Sequence, residues 1–479
     1  MNKTLSVKVL GLYLLCMIVL TGCFKGNNVE TTIEIWHHYN DTQKIAFDEM
    51  IVEFNETIGV EKGIIVQTFS QGNINELQMT ILDSVDKKVG AKEIPNIVTA
   101  YPDTARRISD EGLIVDLGKY ITNKELEKYV PSYIEEGYLG KDHQLNIFPI
   151  AKATEIMMVN KTDWDKFVNA TGANIDDLKT WEGLSKTAEL YYNWTDSLTE
   201  VANDGKAFFG RDAMANYILV GAKQLGQEMF EVENEIATLR INEKIMRRLW
   251  DYYYLPYIKG YYSSFGRFSS DDVRTGEIIA LVGSTAGATY FPEDVTIGDK
   301  ESYNIESLIL PVPNFENTKP HVIQQGAGMS VLKSDKAHEE ASIEFVKWFT
   351  QTPKNMAFCL EAGYLPVTKQ ANIKEVFEKE LQQEGEERFS KQLQMALRVS
   401  KDQVETYELY QGKAFKNGDM VREFLTKALI DQAKIDREIV VELINEGKTH
   451  EEAATLVSRD KNFDQWFLKF EATLEKIIR

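Results

Sequence analysis

Cysteine is almost absent from this 479-residue chain, which holds only Cys16, Cys23 and Cys359. The first two belong to the N-terminal segment, so Cys359 stands alone in the body of the chain and no disulfide framework can form. Histidine is scarce as well. His37, His38, His143, His321, His338 and His450 make no H-E-x-x-H, and the His37–His38 pair lacks the i, i+4 spacing of a helical zinc site. A G-x-S-x-G elbow is missing, because Gly283-Ser284-Thr285-Ala286-Gly287 holds its serine out of register. A phosphate-cradling G-x-x-x-x-G-K-[ST] is missing too. The loop Ser269-Ser270-Asp271-Asp272 does not have EF-hand spacing, so no metal and no cofactor is expected. Paired carboxylates for glycoside hydrolysis are the one enzymatic alternative these absences leave open. Positive charge is in deficit, with 54 Lys and Arg against 74 Asp and Glu. Lys3 and Lys8 are the only charges in residues 1–22, so the chain from Cys23 onward is near −22. That balance excludes nucleic acid and anionic membrane surfaces as partners. Beyond the N-terminus no apolar run is long enough to cross a bilayer, which excludes a permease.

What is present begins at the N-terminus. Lys3 and Lys8 precede a short apolar run, Val9 to Leu20, and Leu20-Thr21-Gly22-Cys23 follows. This is the layout of a secretory signal peptide. It resembles the bacterial lipoprotein pattern, which implies a signal peptide over 1–22 and a lipidated Cys23. Acyl chains there would hold the protein stably at a membrane surface, each buried methylene adding about 0.8 kcal/mol. The mature chain is therefore expected outside the cytoplasm, anchored but not spanning, with residues 23–30 as the lipidated cysteine and its tether.

Strand and helix periods then alternate. Thr32 to Trp36 reads as a strand, Asp41 as the cap of a helix with Ile45, Phe47, Met50, Ile51 and Phe54 on its apolar face, and Ile64 to Phe69 as a second strand. A helix from Ile74 to about Val89 and a strand from Ile94 to Ala100 continue an α/β lobe with a mostly parallel sheet. From Asp163 to about Tyr262 helical periods and aromatics dominate, and Tyr191, Tyr192, Trp194, Trp250 and Tyr252 to Tyr254 read as core. Strand character returns at Ile278 to Val282, Ile305 to Leu310 and Gly328 to Leu332. Helices follow from about Asn372 to the end, the last carrying Phe463, Phe467, Phe470 and Leu474 on one stripe. Cys359, inside Met356-Ala357-Phe358-Cys359-Leu360, reads as an inert buried thiol.

A series of short motifs then appears in one order: Ile35-Trp36-His37-His38-Tyr39, Gly72-Asn73, Pro95-Asn96-Ile97-Val98 with Tyr101, Ile114-Val115-Asp116-Leu117, and Pro149 through Val159-Asn160-Lys161. Thr180-Trp181-Glu182-Gly183-Leu184, Gly276 to Ala280, Gly283-Ser284, Leu310-Pro311-Val312-Pro313, Gln325-Gly326-Ala327-Gly328 and Gly363-Tyr364-Leu365-Pro366 complete it. The whole series resembles the extracellular solute-binding proteins that include the maltose- and glycerol-phosphate-binding proteins of ABC importers. The resemblance implies a two-lobed, type II periplasmic-binding-protein-like α/β fold with a helical C-terminal extension. Lobe 1 would comprise 31–150 plus 302–350, and lobe 2 would comprise 151–301 plus 351–479. Crossings between the lobes would fall near Pro149–Met158, Gly283–Phe291 and Gln351. It also implies a monomer that closes on a small polar solute and hands it to membrane permease subunits, with no catalysis.

The strand-end rule for open α/β sheets, taken with the family's loops, nominates ligand-binding residues. They are Trp36, His37, Tyr39, Gln71, Asn73, Tyr101, Asp103, Glu155, Ser284, Thr285, Gln325, Gly326 and Tyr364. Each has another reading: Asp103 as a helix cap, Trp36 as a seal on the sheet, and Glu155 as a solvent-facing hinge residue. In the glycerol-phosphate branch the loop after Gly-Asn usually offers a tyrosine and the residue after the Tyr101 equivalent is usually acidic; here these are Ile74 and Pro102. An uncharged sugar or oligosaccharide is therefore favoured over a phosphoester. Ligand sensing for a membrane kinase remains an alternative for the same fold.

Overall fold

The computed structural model describes residues 30–140, 142–233, 236–298, 301–382 and 389–479. The expected signal peptide, Cys23 and nearly all of the tether lie outside these residues. No helix among the described residues is long and apolar enough to cross a membrane.

The first lobe is built on β1 (Thr31–His37), α1 (Asp41–Phe54), β2 (Ile64–Ser70), α2 (Ile74–Val85), β3 (Ile97–Ala100) and α3 (Pro102–Asp110). Strand period two sorts β1 cleanly. Ile33 and Ile35 enter one core with Phe47 and Phe54 of α1, while Trp36 enters another with Leu77, Ile81 and Ile108 of α2 and α3. Helices cover both faces, as a mostly parallel sheet requires. Of the expected α1 face, Phe47, Met50, Ile51 and Phe54 are buried, whereas Ile45 is 62% exposed. Asp41 is not the cap of α1. Asn40 holds that position without a side-chain cap bond; its amide donates to the His38 and Gly72 carbonyls, and its Oδ1 accepts from the Ser70 hydroxyl at 3.4 Å.

The second lobe follows with β4 (Glu155–Asn160), α4 (Trp181–Asp196), β5 (Phe209–Arg211), α5 (Met214–Gln224), α6 (Glu243–Ile258), β6 (Ala280–Ser284) and β7 (Ser307–Pro311). Its sheet runs β7-β4-β6-β5. The aromatics of the middle region do form its core. Trp250, Tyr253 and Tyr254 are each at most 1% exposed, and full burial of such a side chain contributes about 1.5–3 kcal/mol.

The chain then passes through β8 (His321–Ile323) to β9 (Gly328–Val331), which pairs antiparallel with β3 and completes a first sheet in the order β9-β3-β1-β2. Two stretches sit elsewhere than expected. Ser307–Pro311, placed at the sequence level in lobe 1, hydrogen-bonds to β4 in the second sheet. After α7 (Lys336–Phe349), α8 (Thr352–Glu361) and Tyr364 pack in the first core with Phe47, so no crossing occurs near Gln351. An apolar stripe specifies burial, not which of two equally apolar cores receives it. Cys359 of α8 is fully buried and burial pushes its thiol well up. The C-terminal part consists of α9 (Lys391–Thr406), β10 (Glu408–Tyr410), α10 (Gly418–Asn445), α11 (His450–Val457) and α12 (Asp460–Ile478). On α12 the buried stripe is Phe463, Trp466, Phe470 and Leu474, with Phe467 only partly buried.

Candidate functional site

The two sheets present strand ends to each other. On the first, β1, β2 and β3 finish at His37, Ser70 and Ala100, and β9 starts at Gly328 opposite Ala100. On the second, β5 and β6 finish at Arg211 and Ser284, and Ser284 lies opposite Glu155 at the start of β4. Three segments join these edges. Ala153 and Gln325 pair as an isolated bridge, Lys152 bonds to Leu365, and the Thr285 amide donates to the Thr154 carbonyl at 2.8 Å. Gly326 makes one approach possible: its φ is +109°, and a Cβ there would lie 2.5 Å from the Ala151 carbonyl oxygen. At the far end of the gap, beside the edge strands β2 and β5, Arg267 reaches Glu76 of α2 at 3.5 Å. One flank is bridged by the Tyr290 hydroxyl donating to the Asn40 carbonyl at 3.1 Å. The result is a cleft with a hinge behind it.

The nominated residues divide into three groups. Trp36, His37, Tyr39 and Tyr364 are buried, at 2%, 0%, 1% and 6% exposure. Trp36 fills the core beneath α2 and α3. Tyr39 packs edge-on to Phe358 and Tyr364, and His37 stacks on Tyr39. Burial lowers His37 to about 4, so its ring is neutral at physiological pH. A second group builds the hinge. Thr285 is fully buried with its hydroxyl on the Thr154 carbonyl and the Ser400 hydroxyl. The Gln325 amide donates to the Thr154 carbonyl, and Glu155 is not solvent-facing at all. Its carboxylate pairs with Arg211 at 2.5 Å and accepts from Asn216 at 2.8 Å. The third group, Gln71, Asn73, Tyr101, Asp103 and Ser284, keeps part of its surface open at the cleft. Asn73 is nonetheless occupied, since its side chain caps α2 in a capping box with Glu76. Asp103 is not a cap: Tyr101 takes that position and α3 starts at Pro102.

Sequence reasoning missed Asp212, Arg211, Asn216 and Arg422. Asp212 follows the end of β5 directly, where the strand-end rule would have placed it had so short a strand been seen. It is exposed to solvent, yet its carboxyl is pushed up by desolvation, the mark of a group walled in on the floor of a cleft. One of its oxygens accepts from the Ser269 amide at 2.7 Å. Asp103, across the gap, is likewise desolvated and raised to about 6, against a downward pull from Arg422 and an upward push from Asp419. A carboxyl raised on folding adds stability that is full below its unfolded value of 3.8 and lost as pH rises through about 6. Asp103→Asn should therefore gain about 2 kcal/mol over the parent between pH 4 and pH 8, read as diverging urea midpoints.

A profile of the family described as bacterial extracellular solute-binding proteins matches residues 49–383. No curated protein matches the chain by sequence. Among solved structures, the maltose/maltodextrin-binding domain MalE from Bdellovibrio bacteriovorus, bound to maltotriose, superposes with a TM-score of 0.64 at 14% identity, over 93% of this chain and all of that one. UgpB from Mycobacterium tuberculosis, in complex with glycerophosphocholine, gives 0.62 at 17% identity over 91% and 98%. An ABC transporter solute-binding protein from Agrobacterium radiobacter, in complex with ribitol, gives 0.60 at 15% over 92% and 98%.

Proposed function

The chain belongs to the bacterial extracellular solute-binding proteins, which bind and do not catalyse, and from that premise we propose that it captures a neutral saccharide or polyol for an ABC importer. The observation that carries this reading is the set of groups still open in the cleft. Tyr101, Gln71 and Ser284 offer hydroxyl and amide groups, and Asp103 and Asp212 offer carboxylates that accept from sugar hydroxyls. Phe265 and Phe268, 73% and 48% exposed, supply aromatic surface near the rim for C–H faces. A phosphoester would meet two carboxylates, while the nearest arginines are engaged: Arg211 by Glu155, Arg422 by Asn216 and Arg267 by Glu76. Cys23 carries the acyl anchor in this reading, residues 24–30 are the tether, and the protein acts as a monomer outside the cytoplasm.

The test is a thermal-shift series on the chain from Phe24 onward, which retains every residue of both cores, with maltotriose, ribitol and glycerophosphocholine. A ligand at 100 times its Kd stabilises by about 2.7 kcal/mol, a shift of about 3 °C. A shift with maltotriose or ribitol is expected. A shift with glycerophosphocholine alone, or none with any of the three, overturns the neutral-saccharide reading.

A further inference from the structure

We propose that the first turn of α10 is a latch between the lobes, with Asn216 and Arg422 as the positioning residues that tie its engagement to the hinge. The body of α10 belongs to the second lobe, where Val421, Leu425, Leu429 and Ala433 join the core containing Tyr217 and Tyr253. Its first turn instead abuts α3 of the first lobe. Gly418 approaches so closely that a Cβ there would lie 2.5 Å from Oδ1 of Asp103. That proximity fits a glycine in a helix's first turn, since a Cβ there would push the Asp103 carboxylate aside.

One turn further, Arg422 donates to Oδ1 of Asn216 at 2.8 Å. Asn216 is fully buried, and its amide donates to Glu155 at 2.8 Å and to Gln325 at 3.2 Å. Those two acceptors sit on two different crossing segments, so Asn216 joins both to α10. When the lobes part about their crossings, the Gly418–Asp103 approach must break while the core contacts of α10 can persist. The small space behind the contact, about 50 Å³, is lined by Asp103, Glu228, Tyr410, Lys413 and Arg422 and is large enough for water to enter as the latch opens. The proposal rests on the gap being the solute cleft, but its test needs no solute and so fails or succeeds separately.

Asp103→Cys together with Gly418→Cys places two thiols within disulfide reach. Cys359, the free cysteine among the described residues, is buried and does not compete. In the chain from Phe24 onward the pair should crosslink under mild oxidation. Adding Arg422→Ala should slow crosslinking about tenfold, by cutting the engaged population by that factor, and Arg422→Lys should restore part of the rate. Thermal melting of each variant checks that it folds; should Arg422→Ala lose a cooperative transition, Arg422→Gln takes its place. Failure of the pair to crosslink, or a rate indifferent to both Arg422 and its replacements, overturns the latch.

Discussion

Arg211→Ala should destabilise the protein by about 3–5 kcal/mol, the largest single-residue loss expected outside the aromatic cores. Arg211 and Glu155 are 4% and 3% exposed, and their ion pair lies under the hinge. The guanidinium is also covered by Trp181 and Tyr217, whose ring centres are 5.5 and 5.7 Å away. Truncation leaves the Glu155 carboxylate buried with only the Asn216 amide as a polar side-chain partner. The desolvation penalty of that charge, rather than the lost attraction, sets the cost. A drop in melting temperature of roughly 3–5 °C by calorimetry is expected for a chain of this length. The companion variant separates the two terms: Glu155→Leu with Arg211→Met removes both charges and should cost far less than Arg211→Ala alone. Equal losses in the two would show that packing, not an unpaired charge, dominates.

Asp212→Ala should behave in the opposite sense, weakening ligand binding about 10- to 100-fold while leaving stability unchanged or slightly raised. A hydrogen bond to a charged acceptor is worth about 1.5–3 kcal/mol, and tenfold in affinity is 1.4 kcal/mol. The carboxyl is held above its usual range by desolvation, so the fold carries it at a cost that only a bound solute offsets. Titration calorimetry with maltotriose, alongside thermal melting, reads both quantities. Parent-like affinity would remove Asp212 from the site, and a large fall in melting temperature would make it structural.

The difference between these two acidic residues shows where sequence reasoning stops. Glu155 and Asp212 each adjoin a strand of the same sheet, and nothing in their neighbours along the chain tells them apart. The partner of Glu155 lies 56 residues away and that of Asp212 57 residues away. Trp36 and Tyr364 illustrate the same limit. Trp36 lies at the end of β1 and Tyr364 in the loop after α8, where an aromatic ring can turn to the cleft or to the core, and the packing of Leu77, Ile81 and Phe358 takes both rings inward.

By itself the sequence determined the family, the alternation of strands and helices and the aromatic core of the second lobe. These rest on local period and composition, which neighbours along the chain specify directly. Tertiary structure alone decided that Ser307–Pro311 joins the second sheet, that α8 stays with the first, and that Asn216 links two crossings to α10. Each of those depends on which apolar surface or charge meets which partner across dozens to hundreds of residues. Burial is encoded locally, whereas pairing is selected only when the whole chain closes on itself.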